Sequence, residues 1–287
     1  MNQPITTVHR ISCGYVNKCI RIAVVADVHN SQISIARAID SGQTIDYIVV
    51  VGDLLYAVEK NHTIYDHLPD SGQHLRNAEN AISFLKEAVE IAPVFFSSGN
   101  HELYLDDEDR ALLSGIGVCY LDDEYRRSGD LVFGGLSSPY KIFAGTGVSH
   151  TKEEHKRRWK KVFENVNTSW LDEFEMQEGY KILLCHHPEF YEPFLKGREG
   201  IDLILSGHAH GGQIRLFGRG LYAYGQGLFP KYTSGIYDNK LIVSRGLSNT
   251  SWIPRLWNPT EIIYVDLLPH FHNYPGAAIR RKSNDLI

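Results

Sequence analysis

The chain has 287 residues, 43% hydrophobic, 22% charged and 11% aromatic, the balance of a globular protein and not of a disordered or fibrous one. Its formal charge of −5, from 29 Lys and Arg against 34 Asp and Glu, leaves no surplus of cations for non-specific contact with a nucleic-acid backbone. Four scattered cysteines (Cys13, Cys19, Cys119, Cys185) with no CxxC pair suit a reducing compartment and argue against a disulfide scaffold or thiolate metal site. Residues 1–19 contain no continuous apolar segment and no run of 18 apolar residues occurs anywhere, so neither a signal peptide nor a membrane-spanning helix is expected. The expected location is the cytoplasm.

In chain order, apolar runs at 22–26 and 47–51 predict two strands buried on both faces. Ala81, Phe84, Leu85, Ala88 and Val89 fall on one stripe at helical spacing and predict a helix over 77–91. A third strand follows at 94–97, then short strands within 117–136 that turn near Ser128-Gly129-Asp130. Trp159, Val162, Phe163, Val166, Trp170 and Phe174 predict one long helix. Buried strands recur at 182–185 and 201–205. A hairpin of 233–237 and 241–244 around Asp238-Asn239 comes next, and 261–267 is a last strand. Strands alternating with helices predict an α/β fold, and two packed sheets flanked by helices suit the pattern better than one open sheet. With no repeat or linker, we read a single domain over 1–287, its core about 20–268, with 269–287 as a tail ending in a frayed RRKSNDLI.

The residues that follow the buried strands carry the chemistry. They are Asp27-Val28-His29, Gly52-Asp53, Gly99-Asn100-His101-Glu102, His186-His187-Pro188 and Gly207-His208-Ala209-His210-Gly211-Gly212. Ligands in α/β folds collect beyond the carboxyl ends of strands. Singly, each block has an ordinary explanation: Asp-x-His as a cap, Gly-Asp as a turn, Asn100 to Glu102 as polar groups seeking partners. Five such blocks in one topological place are better explained by a shared site. Carboxylate, imidazole and amide oxygen without thiolate suit Mn, Fe or Zn. The donors outnumber what one tetrahedral ion needs, so two divalent ions are expected.

In this order the blocks DVH, GD, GNHE, HHP and GHAH resemble the signature of the calcineurin-like metallophosphoesterases, D-x-H, G-D, G-N-H-[DE], H and G-H-x-H, over about 22–267. The resemblance implies a four-layer α/β/β/α sandwich with a binuclear centre at the strand ends. It implies that Asp27, His29 and His210 hold one ion, that Asn100, His186 and His208 hold the other, and that Asp53 bridges them. It implies that a metal-bridging hydroxide attacks a phosphodiester, pyrophosphate or phosphomonoester bond. His101 would contact the phosphate and protonate the leaving group, and Asn100 would also touch a phosphate oxygen. The stretches GHAHGGQIR, GLFPKYTSGIY, LIVSRGLS and NPTEI resemble the bacterial YkuE/YaeI-type branch, whose His-x-Pro pattern selects His186 over His187. Some members of that branch carry N-terminal targeting or membrane segments, which are not expected here.

The basic stretch KRRWKK at 156–161 is read as the solvated face of a helix whose other face carries Trp159 and Phe163, not as a contact for lipid or nucleic acid. The aromatic, Gly-rich segment 221–232 is expected either to pack the second sheet or to wall a substrate pocket with Tyr222 and Phe229. An apolar wall fits a small-molecule or lipid-like phosphate ester as the substrate. The alternatives are a protein or nucleotide phosphatase, a nuclease, and a non-catalytic metal-binding interaction module. A nuclease needs a basic groove that a charge of −5 does not suggest, and a module would show substitutions among the ligands or at His101, where there are none.

Overall fold

In the computed structural model, which describes residues 3–39, 42, 44–56, 74–143, 152–249 and 253–270, the apolar runs become strands with both faces covered. The strands are β1 (Ile5–Cys13), β2 (Ile20–Val25), β3 (Tyr47–Val51), β4 (Val94–Ser97) and β5 (Val118–Leu121). They continue as β6 (Glu124–Ser128), β7 (Leu131–Leu136), β8 (Tyr180–Cys185) and β9 (Leu203–Ser206). Two short hairpins follow, β10 (Arg215–Leu216) with β11 (Arg219–Gly220) and β12 (Tyr222–Ala223) with β13 (Gly227–Leu228). The series closes with β14 (Gly235–Tyr237), β15 (Leu241–Val243) and β16 (Glu261–Pro269).

One six-stranded sheet runs β1-β16-β2-β3-β4-β5, the other β14-β15-β9-β8-β7-β6. Strands β2 to β5 are parallel, as are β7, β8, β9 and β15, so within each block the carboxyl ends lie on one side. Neighbouring residues on a strand face opposite ways. Val24, Val49 and Phe95 meet Phe133, Leu184 and Leu205 between the sheets. Val25, Val50 and Phe96 turn outward to Ile35 of α1 (Ile35–Ala38), Phe84 of α2 (Glu79–Ile91) and Leu113 of α3 (Asp107–Ile116). On the far side, Val132, Leu183 and Ile204 pack with Val162 of α4 (Lys152–Glu164) and Phe174 of α5 (Leu171–Glu175). Each such side chain contributes roughly 1.5–3 kcal/mol on burial. The result is the four-layer α/β/β/α sandwich.

The structure differs from the sequence reading in three places. The long helix is two, because Asn165 Nδ2 donates to the Lys161 carbonyl and Asn167 Oδ1 accepts from the Ser169 backbone and hydroxyl, offering the chain an alternative to helical bonds. The apolar spacing nevertheless continues, since Trp170 and Phe174 reach the same core as Trp159 and Phe163. A strand also precedes the first one read from the sequence: β1 pairs in parallel with β16 through nine residues. Helix α2 starts at Glu79, after a 3₁₀ turn at Leu75–Asn77. Lys156, Arg157, Lys160 and Lys161 of α4 are exposed while Val162 is buried, so the basic stretch is a solvated face. The tail from 271 onward lies outside the described residues. Among the described residues no helix is long and apolar enough to cross a membrane.

Candidate metal centre

Five strand ends, three from the first sheet and two from the second, deliver their polar blocks to one place. Asp27, His29 and His210 each bring a ligand atom within 4.8 Å of the others, as do Asp53, His186 and His208, and as do His29, Asp53 and His101. His210 Nε2 lies 3.5 Å from Asp27 Oδ1 and 3.4 Å from His29 Nε2. His186 Nε2 lies 3.1 Å from Asp53 Oδ2, to which His29 Nε2 comes within 3.8 Å and His101 Nε2 within 3.9 Å. The opposite ring nitrogens face backbone carbonyls: Nδ1 of His29 that of Leu55, Nδ1 of His186 that of Val51, Nδ1 of His210 that of Ser248. At His29 and His186, donation from Nδ1 leaves the Nε2 lone pair pointing into the cluster, the arrangement that orients histidine ligands. The buried atoms with no hydrogen-bond partner include Asp27 Oδ2, Asn100 Oδ1, His186 Nε2 and His208 Nε2. Burying so many unmet polar atoms costs several kcal/mol unless something binds them.

The backbone is bent to make this possible. Asp27, His29, Asn30, Asp53, His208 and His210 all have φ between 45° and 65°. A left-handed residue other than glycine costs roughly 1–2 kcal/mol, and Asp, Asn and His bear it best. Hydrogen bonds between loops hold the strain in place: Asp27 N–H donates to the Gly52 carbonyl, His29 N–H to that of Asp53, Asn30 N–H to that of Leu54. The carboxylate of Glu102 accepts the amides of Asp53 (2.9 Å), Gly99 (2.6 Å) and Leu55 (2.8 Å), joining the loops after β3 and β4. Gly99 passes so close to Asp53 that a Cβ there would strike its carboxylate and lie 2.7 Å from its backbone nitrogen.

His187 takes a different course from its neighbour. Its Nε2 lies 2.8 Å from Ser138 Oγ and its Nδ1 3.2 Å from Glu189 Oε1, and its ring stacks on Tyr140. Glu189 Oε1 also stands 3.5 Å from His208 Nε2. The ring of His101 stacks on Tyr56 at 5.4 Å, and its side chain, 21% exposed, is more open than those of His29, His186 and His208. Of the segment 221–232, Tyr224 touches the ring of His208 and that of Trp159, Tyr222 is half-buried, and Phe229 is 79% exposed. Glu102, Tyr56 and Glu189 had no assigned part in the sequence reading, whereas Tyr224 belonged to the aromatic segment expected to pack the second sheet or wall a pocket. Of the first three only Glu102, at the end of a motif block, carried any local signal there.

Residues 20–212 match the model of a family described as calcineurin-like phosphoesterase. The chain belongs to that family. The uncharacterized metallophosphoesterase Cj0846 of Campylobacter jejuni is 29% identical over 234 residues, covering 78% of this chain and 51% of that protein. An uncharacterized metallophosphoesterase of Aquifex aeolicus is 26% identical over 204 residues, 68% of each chain. Bacillus subtilis YpbG, an uncharacterized protein, is 39% identical over 98 residues, 34% of this chain and 33% of that one. The chain thus spans about half the length of Cj0846 and a third of that of YpbG.

Membership of a calcineurin-like metallophosphoesterase family implies divalent metal, and the donor set fits it, with imidazole and carboxylate atoms converging in buried groups and several of them without a hydrogen bond. Burial, joined by the neighbouring His101, lowers His29 to about 3, and burial also holds His208 and His210 well below the ordinary range, so these rings are neutral and free to ligate. The two aspartates part company. Burial raises Asp27 to about 7, whereas the His186 and His101 imidazoles overcome burial at Asp53 and keep it ionised. Burial works against a charged His186, but Asp53 and Asp27 raise it to about 10. A metal entering the site must therefore displace protons from His186 and, below about pH 7, from Asp27 as well. Metal affinity is expected to rise with pH, by about a hundredfold or more between pH 6 and 8, with the steeper part below 7. Competition against a chelator at the two pH values measures this, and a pH-independent affinity would contradict it.

Proposed function

We propose that the chain is a binuclear metal-dependent phosphohydrolase that cleaves a phosphodiester, pyrophosphate or phosphomonoester bond in a small or lipid-like molecule. The observation that carries this reading is the convergence of Asp27, His29 and His210, of His29, Asp53 and His101, and of Asp53, His186 and His208 in overlapping groups, with Asp27 Oδ2, Asn100 Oδ1, His186 Nε2 and His208 Nε2 buried and without a hydrogen bond. In this reading Asp27, His29 and His210 hold one ion, Asn100, His186 and His208 hold the second, and Asp53 lies between. When bound, two such ions (Mn, Fe or Zn) stabilise phosphoryl oxygens and make a hydroxide nucleophile available at neutral pH.

The protein's own groups supply position and protons. The Asp53 carboxylate is aimed by the His101 amide, which donates to Oδ1 at 2.9 Å. The His101 ring, stacked on Tyr56 and set edge-on to His29 at 4.7 Å, is fixed on one side and open on the other. That exposure suits a general acid delivering its proton to a departing alkoxide. Tyr222 and Phe229, on the segment whose Tyr224 touches His208, would then meet the apolar part of the substrate.

Metal content tests the ligand assignment. Asp53→Asn should lower occupancy at both positions, and His210→Ala should empty mainly one, as counted by elemental analysis of purified protein. Full occupancy and activity in Asp53→Asn would remove the bridging role. For His101→Ala, both metals should stay while turnover of an alkyl phosphate ester falls at least about tenfold further than turnover of a p-nitrophenyl ester. Equal losses on the two substrates would assign His101 to positioning instead. Replacing Tyr222 or Phe229 by Ala should change the kcat/KM ratio between substrates differing only in their apolar group, with thermal stability retained. An unchanged ratio in folded variants would place recognition elsewhere.

A further inference from the structure

The described residues enclose a cleft of about 890 Å³ between the loop that follows His29 and the loop that precedes β16. Gln32, Arg37, Leu247, Arg255, Trp257 and Asn258 line it. It does not open on the metal-facing atoms. It shares a wall with them, because Arg255 Nη2 lies 3.0 Å from Nδ1 of His210, the nitrogen turned away from the cluster, and Asn258 Nδ2 donates to the His210 carbonyl at 2.7 Å.

Three features of this cleft are left unexplained by the metal centre. Arg255 uses Nη2 on the carbonyls of Arg245 and Ser248, while its Nε and Nη1 are buried with no partner. Leaving buried donors unmet costs roughly 1–3 kcal/mol apiece, more on a charged group. Among the described residues neither Arg255 nor Arg37 makes an ion pair with a carboxylate. The acid beside the cleft's Ser34 is Glu87, which already accepts from the Ser34 hydroxyl and the Ala36 amide. Finally, Trp257 has a φ of 52° and is 73% exposed. A bulky residue in the left-handed region is an outlier that persists only when its surroundings impose it. Here Leu256 is pinned on both sides, its amide donating to Gln213 and its carbonyl accepting from Arg215, which leaves the indole presented at the cleft.

We propose that this cleft is a second binding site, separate from the metal centre, for a small molecule that combines a phosphate-like anion with a ring or apolar portion. The anion meets the guanidinium of Arg255, which has donors to spare, and the charge of Arg37, and the ring or apolar portion lies on Trp257. The volume is that of an ordinary small-molecule pocket.

Phenylphosphonate, which carries both parts and has no ester bond to hydrolyse, is the probe. In isothermal titration of the metal-loaded protein, Arg37→Ala/Trp257→Ala should bind one phenylphosphonate fewer per chain than the unaltered protein. Both substitutions replace exposed side chains, so metal content and melting temperature should be unchanged. The difference is read whether or not the metal centre takes a phosphonate of its own, so the outcome is independent of the function proposed above. Methylphosphonate should occupy the cleft at least about tenfold more weakly than phenylphosphonate. Equal stoichiometry and affinity in the variant and the unaltered protein would overturn the site, and equal affinity for the two phosphonates would overturn the role of the indole.

Discussion

The Asp53 carboxylate is the reference point from which the rest of the site is placed. Its amide donates to Glu102, its carbonyl accepts from His29, its Oδ1 accepts from His101 and its Oδ2 stands 3.1 Å from His186. Three other loops, those after β2, β4 and β8, are thereby referred to one residue. The neighbouring chain has to come unusually close for this, which is why Gly99 carries no side chain, and Asp53 itself must sit in the left-handed region. Strain at the site and the precision of its geometry have the same origin.

The site also joins the two sheets. Asp27, His29, Asp53 and Asn100 follow strands of the first sheet, and His186, His208 and His210 follow strands of the second. Direct bonds already cross between them, from His186 Nδ1 to the carbonyl of Val51 at 2.8 Å, from the His208 amide to Asp27 Oδ1 at 3.1 Å and between Tyr47 and Ser128 Oγ at 3.1 Å. Much of the remaining seam is apolar packing such as the stacked rings of Phe95 and Phe133, 4.1 Å apart. Packing of this kind is strong but undirected, whereas ligand atoms from both sheets need a defined relative position. Metal bound across the seam would favour the native arrangement by mass action.

Much of this was legible in the amino-acid order. Strands with both faces buried are continuously apolar, so β2, β3, β4, β8 and β9 stand out, and each is followed within three residues by a polar block. Half-exposed β1 was not legible, because Thr, His, Arg and Ser alternate with its apolar residues and its partner lies near the other end of the described chain. The break between α4 and α5 was hidden because packing on one core preserves helical spacing even where Asn165 and Asn167 stop the helix. The sequence left two neighbouring histidines to choose between, and geometry separates them: His186 faces Asp53 while His187 turns to Ser138 and Glu189. Arg255, whose guanidinium reaches His210 from far along the chain, has no local pattern to betray it.

The pairing of β1 with β16 carries a consequence for how the molecule comes into being. Strand β16 lies between β1 and β2, so the first sheet is interrupted until the last of its strands has been synthesised. The contact between Thr7 Oγ1 and Glu261 joins positions 254 residues apart. Closing so long a loop costs chain entropy before any of the nine-residue register returns it. Until then β2, with Asp27 just beyond it, is an unpaired edge on that side, able to accept the wrong strand. The order of strands in space thus makes completion of the first sheet a late event, however early Asp27 and Asp53 are synthesised.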